Sequence, residues 1–253
     1  MTAHTPIQEV IDTADGSGIN ILLNKVDNAI AQVIFAHGAG ANMSHEFMNE
    51  ITHLFNKSNI NVMRFNFPFM DKRALTGKKY PPDRMPKLLT CYEAVIKHLL
   101  AQGRNPFLSE GTLPLFIGGK SMGSRVAATL VAESAGLKSS FIDEITGVFC
   151  LGYPFHPAKK MENLRLEPLL GANKPVLIIQ GDRDTLGNKA EIISYQLPDH
   201  CQCTFLEDGD HSLKPRVKSG FTQQGHRQRA VDEIVTFIQK EVKCNNASHG
   251  EAK

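Results

Sequence analysis

Five apolar runs dominate this sequence, and they alternate with amphipathic stretches along nearly its whole length. They are QVIFA (32–36), INVMRF (60–65), LPLFIG (113–118), ITGVFCL (145–151) and PVLIIQ (175–180). A strand with one wet face alternates apolar and polar residues, whereas these runs are apolar on both faces. Such strands belong to a parallel sheet covered by helices on each side. INILLNKV (19–26) and the alternating CQCTFLE (201–207) add a strand at either end of the series. Helical period is expected from residue 43 to about 57, with Phe47, Ile51, Leu54 and Phe55 on one face. Further helices are expected at 87–101, after Ser121, at 188–195 and from about 224 to 242. The basic stretch FPFMDKRALTGKKYPPDRMP (67–86) reads as irregular, because its prolines break regular elements. The fold class is therefore α/β: a doubly wound, mostly parallel sheet with helices on both faces and no large lid. One domain is expected over 1–244, with a polar, flexible tail at 245–253.

In a sheet of this kind ligands sit beyond the carboxyl ends of the strands, so the residues just after each run carry the chemistry. The first run ends in HGAGANM (37–43), the third in GKSMG (119–123), the fifth in GDRD (181–184), and CTFLE in DGDH (208–211). A serine, acids and a histidine thus stand at three strand ends. G-x-S-x-G between a strand and a helix is a strained turn that lifts the serine hydroxyl into the cleft. Its glycines are needed where a side chain would strike neighbouring backbone.

The order serine, acid, histidine over nearly the whole chain resembles the α/β-hydrolase fold. The small size looks most like the dienelactone-hydrolase-like branch. Within it, GGKSMGSR, RFNFPFM, PPDRMP and GYPFHP are similar to a group of small bacterial α/β-hydrolases. The resemblance implies Ser121 as nucleophile and His211 as the base that takes its proton and returns it to the leaving group. Asp184 is favoured as the acid, with Asp182 its rival in the same turn and Asp208 and Asp210 further alternatives. The backbone N–H groups of Met122 and Ala39 are expected to form the oxyanion hole, Gly38 and Gly40 allowing close approach. His37 reads as a structural loop histidine.

Basic residues rim these elements: Arg64 at a strand end, Lys72, Arg73, Lys78, Lys79 and Arg84 in the basic stretch, and Lys120 and Arg125 around Ser121. Lys78 and Lys79 read as solvated charges. Arg64 and Arg125 are the candidates to hold an anionic group on a substrate through a bidentate fork. The plainer reading has them pair with Asp71, Asp83 or Glu133 to pin the loop. Phe155 and His156 in GYPFHP are candidates to line the pocket wall, against the alternative of a rigid proline-defined turn. The insertion that follows is too short for a lid domain, so an open, shallow site is expected.

A net charge of +2 on 253 residues argues against a general nucleic-acid or membrane-surface binder. The five cysteines (91, 150, 201, 203 and 244) contain no CxxC pair, and Cys201 with Cys203 falls on one face of an alternating strand. No metal site and no organic cofactor are expected. The N-terminus shows no secretory pattern, so a cytoplasmic setting is expected, and the NAS triplet at Asn246 reads as a chance match. The function expected is a serine hydrolase of ester, thioester or related acyl bonds on a small-molecule substrate. The alternative is a non-catalytic scaffold of the same fold that binds a ligand or a protein.

Overall fold

The computed structural model describes residues 5–13, 16, 18–101, 113–132 and 141–250, with backbone alone for 245–250. Its strands are β1 (Ile7–Ile11), β2 (Ile19–Asn24), β3 (Ala31–Ala36), β4 (Ile60–Phe65), β5 (Leu115–Lys120), β6 (Ile145–Leu151), β7 (Val176–Gly181) and β8 (Cys201–Leu206). They form one eight-stranded sheet in the order β1-β2-β4-β3-β5-β6-β7-β8. From β4 to β8 all neighbours are parallel, while β1 and β2 add an antiparallel edge.

Helices cover both faces. On one side α1 (Glu46–Lys57) and α7 (Gln223–Gly250) pack Phe47, Ile51 and Phe55 with Val231, Ile234 and Phe237. On the other, α3 (Met85–Ala101) and α4 (Met122–Leu130) pack Tyr92, Val95 and Ile96 with Val126 and Ala127. Short helices α2 (Pro68–Thr76), α5 (Glu167–Leu170) and α6 (Lys189–Ser194) join this second face. Successive strand residues serve opposite layers: Val33 and Phe35 meet the first, Ile34 and Ala36 the second. The inner strands are buried throughout, as β3, β4 and β7 show at every position.

Four local differences from the sequence reading have physical causes. The stretch read as irregular contains α2, because Pro68 occupies the first helical turn, where its missing N–H leaves nothing unsatisfied. Gly77, at φ 67°, ends that helix, and the later prolines remain outside it. β1 escaped the reading because only its last residue is buried; it is held by backbone pairing to β2. α1 begins at Glu46 rather than 43, with the His45 side chain accepting from Phe47 N–H as its cap. α7 runs on to Gly250, past the tail boundary expected near 244, in a segment that holds no proline to stop it.

Beneath the site, Tyr92 is fully buried and its hydroxyl lies 2.8 Å from both the Ile34 and Gly118 carbonyls. It also accepts from the Gly118 N–H at 3.0 Å, tying α3 to the strand that ends at Ser121.

Candidate active site

β5 ends at Lys120 and α4 begins at Met122, leaving Ser121 to make the whole turn at φ 52° and ψ −113°. A non-glycine residue in that region costs about 1–3 kcal/mol and persists only where its surroundings enforce it. Here they do. A Cβ on Gly119 would lie 2.3 Å from the Gly123 carbonyl carbon, and one on Gly123 would lie 2.6 Å from the Ala36 carbonyl oxygen. The first turn of α4 is thus pressed against the ends of β5 and β3. Ser121 N–H donates to the Leu151 carbonyl at 2.9 Å, and Ser124 Oγ donates to the Ser121 carbonyl at 2.6 Å.

Facing Ser121 is His211, on the loop after β8. Its Nε2 lies 2.8 Å from Ser121 Oγ, and its Nδ1 lies 2.8 Å from Asp184 Oδ2. With Nδ1–H donating to the carboxylate, Nε2 is left to accept from the serine hydroxyl. Asp184 is wholly buried and held by two further donors: Gln180 Nε2 to Oδ2 and Leu186 N–H to Oδ1, each at 2.8 Å. The other acids have different partners. Asp210 accepts from the N–H groups of Ser212 and Lys214, shaping the His211 loop, and Asp208 binds Arg216. Asp182 makes backbone bonds to Leu206 and Lys189.

The loop after β3 supplies the remaining wall. Gly38 lies against the serine turn, so a Cβ there would stand 3.3 Å from the Lys120 carbonyl and 3.6 Å from Ser121 Cβ. Among the described residues, no group accepts from the N–H of Met122 or of Ala39. Two side chains brace this loop. His37 is fully buried, its Nδ1 2.7 Å from the Gly38 carbonyl and its Nε2 accepting from Phe67 N–H at 3.0 Å. Arg73, from α2, donates to the Ala39 carbonyl at 3.1 Å and to the Tyr80 carbonyl through Nε at 2.7 Å. Sequence reasoning missed Arg73 and Gln180 as supports. The one signal for Gln180 was a lone amide at the end of an otherwise apolar run.

Ser121 and His211 open into a cavity of about 450 Å³ walled by the 38–41 loop, Phe47, Lys120 and Arg227. Three residues expected at this wall are elsewhere. Arg64 is 2% exposed, and its guanidinium donates to the Met43 carbonyl, Asn49 and Asn24. These bonds brace the β3–α1 loop, and its burial, which also lowers its pKa from 12.5 to about 10, closes it to an outside anion. Phe155 is fully enclosed, with its ring 5.0 Å from Tyr153 and 5.7 Å from Tyr195. His156 is 1% exposed, with Nδ1 beside the Pro157 carbonyl and Nε2 3.5 Å from Glu191. The GYPFHP segment is therefore the buried turn, with Gly152 at φ 64° and Phe155 and His156 closed off from solvent.

Arg125 lies one turn beyond Met122 on α4 and does not line the cavity. Its Nε is enclosed with no acceptor, and its charge is felt by Tyr153 and Arg165. Asp71 and Asp83 are occupied by other donors, Asn66 and Phe69 N–H; Glu133 lies outside the described residues. Lys72, Lys78, Lys79 and Arg84 are exposed. Cys201 packs its thiol on the Leu169 carbonyl at 3.5 Å, where His200 Nε2 also lies. Among the described residues no cluster of three or more His, Cys, Asp or Glu side chains is placed to hold a metal ion.

His37 gives the site a pH limit. Burial pushes its pKa from 6.5 down to about 4, with Arg73 adding a smaller push and the Gly38 bond opposing it. The unfolded chain takes up this proton below about pH 6.5 and the folded chain does not. Stability is therefore full above that pH and declines as pH falls toward 4, by roughly 3 kcal/mol. Urea unfolding of wild type and His37→Gln between pH 7 and 4 checks this: the variant should lose distinctly less stability over that range. Parallel curves would contradict the assignment.

The fold has well-characterised counterparts. A family model described as an alpha/beta hydrolase domain matches residues 29–239. Est1E from Butyrivibrio proteoclasticus superposes with a TM-score of 0.66 at 14% identity, covering 93% of this chain and 99% of that one. A dienelactone hydrolase from Anabaena variabilis gives 0.64 at 15% identity, with 90% and 97% covered. A Pyrobaculum calidifontis esterase gives 0.67 at 14% identity, with 95% and 86% covered. At these identities the structures speak for the fold, and the family match over most of the chain speaks for descent. The chain belongs to the alpha/beta-hydrolase family.

Proposed function

We propose that this protein is a serine hydrolase that cleaves ester, thioester or related acyl bonds through an acyl-enzyme on Ser121. The observation that carries the reading is the hydrogen-bonded chain from Ser121 Oγ through His211 to buried Asp184, with both links at 2.8 Å. Ser121 Oγ attacks the acyl carbon while His211 Nε2 takes the hydroxyl proton. The tetrahedral oxyanion lies between the N–H groups of Met122 and Ala39, which have no internal acceptor among the described residues. Collapse breaks the acyl–oxygen or acyl–sulfur bond, and the His211 proton leaves with the alcohol or thiol. Water then attacks the acyl-serine, giving its proton to His211, which returns it to Ser121 as the acid departs. Asp184 stays ionised, keeping the imidazole in the tautomer that points Nε2 at the serine.

A fluorophosphonate probe and a short p-nitrophenyl ester test this together. Wild type should be labelled at Ser121 and turn the ester over. Ser121→Ala should lose labelling and about a thousandfold or more of kcat. Folded wild type that takes no label would leave the chain as a ligand- or protein-binding scaffold on the same fold.

The substrate we propose is a small acyl compound. Arg125 stands outside the cavity beside Tyr153, Arg165 and Glu167, so it gives no support to an anionic group on that substrate. Arg125→Gln should therefore leave the kcat/KM ratio of matched neutral and acidic esters unchanged. A ratio that moves toward the neutral ester in the variant would bring Arg125 back to the substrate. The described cysteines have no disulfide, with Cys91, Cys150 and Cys201 buried as free thiols, which suits the reducing cytoplasm. Among the described residues no helix is long and apolar enough to cross a membrane.

A further inference from the structure

Lys120 stands immediately before the proposed nucleophile, and the acyl-transfer steps give it no task. Its Nζ donates to the backbone carbonyl of His211 at 2.6 Å. The room for this bond comes from a third strand end. Gly152, just after β6, turns at φ 64°, and a Cβ there would lie 2.8 Å from Lys120 Nζ and 2.9 Å from the His211 carbonyl oxygen. Any other residue at 152 would be strained by its backbone and would also crowd both partners. Residues 120, 152 and 211 are far apart in sequence and meet at one hydrogen bond.

The lysine pays for its position. It is half-buried at the cavity wall, and loss of hydration lowers its pKa from 10.5 to about 8, while Asp184 and Asp210 pull the other way. Its Nζ lies over the Phe47 ring at 5.9 Å, and Arg227 lies over the same ring at 5.4 Å. Among the described residues no carboxylate forms a direct ion pair with Lys120. Holding an ammonium partly out of water without a direct counter-ion is costly, and an apolar side chain of similar length would cover the same wall at lower cost. Packing alone therefore does not account for a lysine here. The group it grips belongs to the residue whose imidazole must meet Ser121, one peptide away from Lys120 itself.

We propose that Lys120 is a positioning residue for His211, clamping the base's backbone to the strand that carries the nucleophile. This rests on the reading of Ser121 and His211 as nucleophile and base. The clamp sets the distance between the two directly, since Lys120 and Ser121 move together at the end of β5. Without it the His211 imidazole keeps its bond to Asp184 and the loop its Asp210 and Arg183 bonds, none of which ties the backbone of His211 to β5. A displacement of about 1 Å between reacting groups costs on the order of a hundredfold in rate.

Lys120→Met, which keeps the length and removes the donor, is the test in the full-length protein. With p-nitrophenyl acetate as substrate, kcat should fall about 10- to 100-fold while KM stays within about twofold. In the same folded sample, the downfield proton resonance of His211 Nδ1–H should broaden or vanish as the imidazole loses its fixed seat. Wild-type kcat in Lys120→Met would overturn the proposal. A raised KM with kcat unchanged would also overturn it, making Lys120 a wall that holds substrate. So would a fall in kcat with the resonance intact. Where Lys120→Met does not fold, Lys120→Gln takes the same measurements. Lack of wild-type turnover would fail the hydrolase reading instead, and the resonance comparison would still decide whether Lys120 seats the imidazole.

Discussion

Two glycines allow the first turn of α4 to press against the ends of β3 and β5, and the rest of the site depends on that contact. Gly123 sits where a single methyl group would strike the Ala36 carbonyl. The approach does two things at once. It holds Ser121 at a positive φ that no isolated serine would keep, and it brings the Gly38–Ala39 loop alongside the serine turn. Gly38 thus lies against the serine turn, and the N–H groups of Met122 and Ala39 have no acceptor among the described residues.

Around that contact, the charges that shape the site are the buried and half-buried ones. Lys72, Lys78, Lys79 and Arg84 give the surface its basic look, yet exposed charges in water contribute little to any one geometry. Asp184, His37 and Arg64 are buried and Lys120 is half-buried, and each has defined partners. Asp184 is held on one oxygen by Gln180 and His211 and on the other by Leu186 N–H, so its position is set before any substrate arrives. His37 and Arg73 brace the loop after β3 from behind, linking it to α2 and the segments on either side of it. The two halves of the site are thus supported independently, and two bonds to the end of β5 span them: His211 to Ser121 through its ring and His211 to Lys120 through its backbone.

The fold was legible because burial on both faces leaves an apolar run that no other arrangement explains, and the serine turn because its glycines have no conformational substitute. The convergence of Ser121, His211 and an acid followed from strand ends sharing one edge. Choosing among four acids did not follow, since Asp182 and Asp184 differ only in which way a tight turn points them. Arg64 was misplaced for a related reason. It is near a strand end, but its partners Asn24, Asn49 and the Met43 carbonyl come from other elements and are invisible in one dimension. Phe155 and His156 lie buried beyond Gly152, whose positive φ a sequence permits without announcing. α2 was hidden by Pro68, a residue that breaks a helix in its middle and starts one at its end.

The central claim is that a covalent acyl group passes through Ser121. The direct measurement is a short pulse of p-nitrophenyl ester, quenched in acid and digested, with peptide mass spectrometry. The account predicts the acyl mass on the peptide that contains Ser121, accumulating in a burst and decaying as substrate is exhausted. Ester turnover with no acyl adduct on that peptide, or with the adduct on another residue, would contradict it.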